Sequence, residues 1–168
     1  MPRGLKETSG LITISASVTE SAANTFTSER VDLQLNPLDN EVFVVYGIDL
    51  DAFAPDSVDA ADSVVQGTVS TTARTTVGGI DQSNVLAAVR MEIQNQTTNA
   101  VFSEYKSDSA PSTMLEYLGI ISTNDFFLNL EGTGNGAAKS MNARLYGVRA
   151  KADSSIYAAL VNSELLSA

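Results

Sequence analysis

Residues 11–18 alternate strictly, with Ile12, Ile14, Ala16 and Val18 on one side and Thr13, Ser15 and Ser17 on the other. A period of two is the signature of a half-buried β-strand. The same rhythm places Val31, Leu33 and Leu35 inward within residues 26–35, Val65 and Val69 inward within 64–76, and Met141, Ala143 and Leu145 inward within 138–150. Val85, Ala87, Val89, Met91 and Ile93 alternate against Leu86, Ala88, Arg90 and Glu92. Leu, Ala, Arg, Met and Glu favour helices, but the alternation runs on to Ile93 and predicts a strand. Residues 100–105 and 125–130 complete the set. The run Val42-Phe43-Val44-Val45-Tyr46 within 41–50 is apolar without alternation. Such a strand is covered on both faces, or meets another subunit on one of them.

Eight strands result, with residues 114–121 open between a strand and a turn or two of helix. Turn-forming clusters separate them, such as Asn36-Pro37-Leu38-Asp39-Asn40, the Ala/Asp/Pro-rich stretch 51–63 and Gly78-Gly79. Gly132, Gly134 and Gly136 predict a flexible loop. After residue 152 the period changes. Asp153-Ser154 is a candidate N-cap, and Tyr157, Leu160, Val161 and Leu165 line one side of a helix over 153–168, a stripe interrupted by Glu164. The helix packs either on its own sandwich or on a neighbour. The expected architecture is all-β: one domain of 168 residues, an eight-stranded antiparallel jelly-roll sandwich with a short C-terminal helix. Its parts are an N-terminal arm over 1–9, the sandwich over 10–151 and the helix over 153–168.

Composition narrows the chemistry. The chain has no His, Cys or Trp, which removes Ser-His-Asp and Cys-His machinery, thiolate metal sites and disulfides. Carboxylate pairs remain possible for glycosidic chemistry, but nothing singles out one pair among 20 acidic residues. The expectation is a protein that is not an enzyme and needs no cofactor. Asp49, Asp51 and Asp56, with Asp59 and Asp62 nearby, are weak calcium candidates, because calcium takes loop oxygens; the spacing is not that of an EF-hand, and a solvated acidic loop is the favoured reading. The glycine loop lacks the lysine of a phosphate-binding loop. Asn95-Gln96-Thr97 matches a glycosylation sequon, read as chance because the N-terminus lacks the apolar stretch of a signal peptide. No apolar run reaches membrane-spanning length.

Net charge is −10 and unevenly placed. Residues 20–62 hold ten acidic side chains against Arg30 alone, whereas 132–152 hold Lys139, Arg144, Arg149 and Lys151 and no acid. Direct nucleic-acid binding is not expected of such a balance. The two segments are complementary, either within one fold or between subunits.

In strand count, Thr/Ser/Asn-rich loops and terminal helix, residues 11–150 resemble a viral capsid protein of the single jelly-roll kind. The segment Leu35-Asn36-Pro37-Leu38-Asp39-Asn40-Glu41-Val42-Phe43-Val44-Val45 is similar to environmental, marine-type phage capsid sequences. The resemblance implies a structural, self-assembling major capsid protein, assembled in a host cytoplasm and resident in the virion. Its partners would be further copies of itself and other virion proteins. Unlike many such proteins the chain has only Arg3 and Lys6 before its first strand, so its arm is not expected to condense a genome. The expected subunit interface comprises Asp49, Asp51, Arg144, Arg149, Lys151, Tyr157, Leu160, Val161 and Leu165. A phage tail or decoration protein and a carbohydrate-binding β-sandwich module are the alternatives.

Overall fold

In the computed structural model, which describes residues 3–96, 99–107 and 115–166, the strands form two antiparallel sheets packed face to face. The strands are β1 (Leu5–Glu7), β2 (Ile12–Thr19), β3 (Thr27–Asp32), β4 (Glu41–Ala52), β5 (Ser63–Ser70), β6 (Val85–Gln96), β7 (Asn99–Lys106), β8 (Gly119–Ile121), β9 (Asp125–Thr133) and β10 (Ser140–Ala152). Helix α1 (Ser154–Leu166) follows. One sheet runs β2-β10-β4-β8, with β1 continuing the β2 edge along β10; the other runs β3-β9-β5-β6-β7. Apart from the β5-β6-β7 meander, every connection from β2 onward carries the chain from one sheet to the other. That interleaving is a jelly roll.

The fold class holds, but the eight members differ from those expected. Residues 100–105 form β7, a hairpin partner outside the jelly-roll frame, and the eighth position belongs to β8, three residues from the ambiguous stretch 114–121. The alternation at 85–93 is a strand. The arm over 1–9 is not detached: Leu5, Lys6 and Glu7 pair with Ala152, Lys151 and Ala150. Tyr46 of β4 donates its hydroxyl to Glu7 (3.2 Å), and burial first, then that carboxylate, hold its phenol above the usual pKa.

The main core lies between the sheets, with Phe43, Val65, Val69, Phe126, Leu128, Leu130, Met141 and Leu145 fully buried. The unbroken apolar run in β4 has a geometric cause. Its register with β10 skips Tyr46, passing from Gly47–Tyr146 to Val45–Gly147. A bulge of one residue exchanges the two faces of the strand, so Ile48 and Leu50 enter the core beyond it while Phe43 and Val45 enter before it. Gly147 sits at this step; a Cβ there would lie 2.3 Å from the carbonyl oxygen of Val44.

Val42 and Val44 point the other way, and with Val148, Ala150 and Ala152 they form a second apolar cluster under α1. Ile156, Tyr157 and Leu160 pack on it, so the helix covers its own sheet. The expected stripe is corrected at its end. Leu165 is 58% exposed, whereas Glu164, the apparent interruption, is the buried residue of the last turns. One oxygen of its carboxylate accepts from the backbone N–H of Ser122 (2.8 Å) and Thr123 (3.2 Å) and from the Ser122 hydroxyl; the other accepts from the Thr123 hydroxyl (2.7 Å). The β8–β9 turn thereby fastens the helix. Glu164→Ala should lower stability by about 2–3 kcal/mol, because buried donors lose a charged acceptor, while Leu165→Ala should change it by less than about 0.5 kcal/mol. Thermal unfolding followed by circular dichroism compares the two, and equal losses would contradict this account of docking.

Candidate functional site

Two polar regions carry the charged residues singled out by sequence. The first is the outer face of the β2-β10-β4 sheet beyond the reach of α1. Here Arg144 stands in register with Asp49 on one side and Ser15 on the other, and Asn142 stands between Asp51 and Ser17. Side chains at paired positions share a face, so Asp49, Asp51 and Arg144 are brought together around a shallow depression of about 580 Å³. Tyr146 donates its hydroxyl to Asp49 (2.9 Å), and Asn142 reaches Asp51 (3.4 Å). All three charged residues are exposed.

Arg149 and Lys151 are placed differently. Arg149 donates to the carbonyl oxygens of Leu33 (2.8 Å) and Gln34 (3.0 Å) and pairs with Glu41 (3.1 Å), tying the end of β10 to the chain after β3. Lys151 lies 3.4 Å from Asp39, both more than half exposed. A pair so exposed contributes little. At both residues the complementarity between acidic and basic segments is met inside one chain, because β4 and β10 are antiparallel neighbours. Tyr157, Leu160 and Val161 are half-buried against their own subunit, and Leu165 is exposed.

The second region closes the end of the sandwich where β2, β9 and β10 meet. Glu20 is buried; its carboxylate accepts from the backbone N–H groups of Gly132 (2.7 Å), Thr25 (3.0 Å) and Lys139 (2.8 Å). Asn135 receives the Asp56 N–H (2.9 Å), donates to the Val64 carbonyl (2.9 Å), and exchanges two bonds with Asn24. The glycine-rich segment is therefore pinned and not the flexible loop its composition predicts. Gly134, at φ +70°, passes so close to Asp62 that a Cβ would lie 2.3 Å from its carbonyl oxygen. Sequence reading missed Glu20, Asn135 and Lys139. The one available signal was the lone Lys139 beside a cluster of small residues that a side-chain cap could order.

Lys139 contacts Asp56 (2.5 Å), whose carboxylate also accepts the Gly136 N–H (2.9 Å). The lysine bond first, and the backbone N–H next, hold the Asp56 carboxyl below its ordinary pKa. Asp56 is thus withdrawn from Asp49 and Asp51, and Asp62 instead accepts the Asn95 N–H (3.1 Å). The calcium candidates do not converge. Among the described residues no three His, Cys, Asp or Glu side chains are grouped to hold a metal ion, and no helix is long and apolar enough to cross a membrane.

No family model matches the chain, and no curated protein matches it. Among solved structures it is similar to the crystal structure of a tailspike protein gp49 from Acinetobacter baumannii bacteriophage Fri1, a capsular polysaccharide depolymerase, at 11% identity and a TM-score of 0.18. That match covers 79% of this chain and 19% of the tailspike chain, so the chain spans about a fifth of its length. At that TM-score the likeness transfers neither fold nor function.

The lowered pKa of Asp56 has a signed consequence. A carboxyl whose folded pKa is depressed adds stability that is fully present above its unfolded value, about 3.9, and is lost as pH falls through the folded value. Asp56→Asn should therefore flatten the part of the stability curve below pH about 4. Urea unfolding at a series of acidic pH values reads the difference, and parallel curves for the two proteins would show that the contact has no linkage to protons.

Proposed function

We propose that this chain is a structural shell subunit, a self-assembling major capsid protein of a virus, acting without catalysis. The observation that carries the reading is the strand order of the two sheets, β2-β10-β4-β8 against β3-β9-β5-β6, a jelly-roll arrangement that viral capsid domains share with lectins and cupins. The support is one of architecture. A sandwich of two packed sheets presents its edges and outer faces to neighbours, and repetition of one contact around a rotation axis closes rings and shells.

Within this reading Asp49, Asp51 and Arg144 are the lateral polar contact, since they share one exposed face and are not enclosed by their own chain. Arg149 ties the subunit's own loops together, while the exposed pair of Lys151 with Asp39 adds little. The tail α1 belongs to the subunit's own wall, and its exposed apolar side chains near the end, Leu165 and Leu166, are available to neighbours. The genome is handled by another virion component.

Assembly is tested on purified protein over a range of salt and calcium concentrations, by size-exclusion chromatography with light scattering and electron microscopy of the largest species. Rings or closed shells are expected, and a strictly monomeric protein in every condition would defeat the reading. Arg144→Glu should weaken assembly and cost the monomer no more than about 1 kcal/mol, since it sets a carboxylate opposite Asp49. Arg149→Glu should lower stability by about 2–3 kcal/mol, because two carbonyl oxygens and Glu41 lose their donor. Unimpaired assembly by the Arg144 variant would remove the electrostatic contact from the proposal.

A further inference from the structure

The edges of the two sheets are unequal. On the described residues β1, β2, β3, β7 and β8 each pair on one side only, and β1 is three residues long with Lys6 and Glu7. β8 is three residues long, β2 presents Thr13, Ser15 and Ser17, and β3 carries Glu29, Arg30 and Asp32. Short length, polar side chains and charges are the usual protections of an open edge. β7 is the least protected: it carries Glu104 and Lys106 near one end, but it runs for eight residues with Val101, Phe102 and Tyr105 exposed by 54%, 55% and 61%.

We infer that β7 is the contact surface for a second copy of this chain, the two strands pairing antiparallel about a two-fold axis at Ser103. The inference rests on the edge itself and not on the shell reading. Charge is the first argument for a like partner. The chain carries −10, yet residues 85–107, which make up the hairpin, hold Arg90 and Lys106 against Glu92 and Glu104 and are neutral. Two acidic molecules approach with least repulsion where each is locally uncharged.

The hydrogen-bond pattern is the second. Ser107 donates its N–H to the carbonyl oxygen of Ala88. Antiparallel pairs alternate in bonding, so Tyr105, Ser103 and Val101 also direct their backbone groups toward β6. The N–H and C=O groups of residues 100, 102, 104 and 106 therefore face outward. A second β7 can bond to them only where even residues oppose even residues. Centring on Glu104 sets that carboxylate against its own copy, and centring on Phe102 leaves Lys106 beyond the partner strand. Centring on Ser103 keeps residues 100–106 paired, with Phe102 bonded to Glu104 and Ala100 to Lys106. It also places Val101 opposite Tyr105 twice, at non-bonded positions where Cα atoms come within about 4.5 Å and side chains meet closely. Tyr105 borders a depression of about 360 Å³ beneath Ile80, and Val101 of the second copy extends its apolar wall.

The chain contains no cysteine, so single cysteines report the contact directly. Under mild oxidation Ser103→Cys should link into dimers, since facing non-bonded residues meet disulfide geometry, while Thr13→Cys on the β2 edge should not. Val101→Cys and Tyr105→Cys should link when mixed and not when alone. Val101→Lys, at an exposed position, should shift sedimentation equilibrium toward monomer with an unchanged circular dichroism spectrum. If Ser103→Cys links no faster than Thr13→Cys, the edge is covered otherwise, for example by the chain's own residues beyond 107, and the inference falls. Linking by Val101→Cys alone overturns the register. Shells that form with Ser103→Cys unlinked sink the edge contact and leave the shell reading standing; a linked dimer that never grows further does the reverse.

Discussion

The pairing of β4 with β10 is the constraint on which the other elements depend. These strands meet along eleven register positions, from Met141 opposite Ala52 to Lys151 opposite Glu41. One face of the pair supplies Phe43, Val45, Ile48, Leu50, Met141 and Leu145 to the main core, and the opposite face supplies Val42, Val44, Val148 and Ala150 to the cluster beneath α1. β1, β2 and β8 are hung on this pair, and the helix folds back because an apolar strip would otherwise face water. The bulge at Tyr46 lets one strand serve both layers.

Two buried carboxylates finish what hydrophobic packing leaves incomplete. A jelly roll carries its chain repeatedly across the ends of the sandwich, and backbone N–H groups in those crossings need acceptors once buried. Glu20 supplies them for Thr25, Gly132 and Lys139, and Glu164 for Ser122 and Thr123. Both acids serve architecture, so these two belong to the frame and not to the solvated surface. The basic segment is likewise part of the frame at Lys139 and Arg149, and of the open surface at Arg144.

Particular elements show where sequence and structure part. The alternation in β2, β5, β6 and β10 was legible because a period of two records which face is buried. The split of β4 was not, since a one-residue bulge is invisible until the partner strand is known. β8 was ambiguous because three residues carry no period. Helix α1 was legible as a helix, but its seam was misread at the end: Leu165 has the right spacing and no surface to meet, and Glu164 breaks the stripe yet meets two backbone donors. Of the calcium candidates, Asp49 and Asp51 share a face, but Asp56 is drawn away from them, and Lys139, 83 positions along, is the group that claims its carboxylate.

By itself the sequence determined the class of the fold, the starts of most strands, the segregation of charge and the lack of His and Cys. Each of these is local or additive, written in a few adjacent residues or in a count. The tertiary structure alone decided which strands are neighbours, which charges meet, and which edge stays apolar. Those depend on contacts across a hundred or more residues, such as Glu20 with Gly132 and Lys139, where the geometry of two packed sheets and not the spacing along the chain brings donor to acceptor.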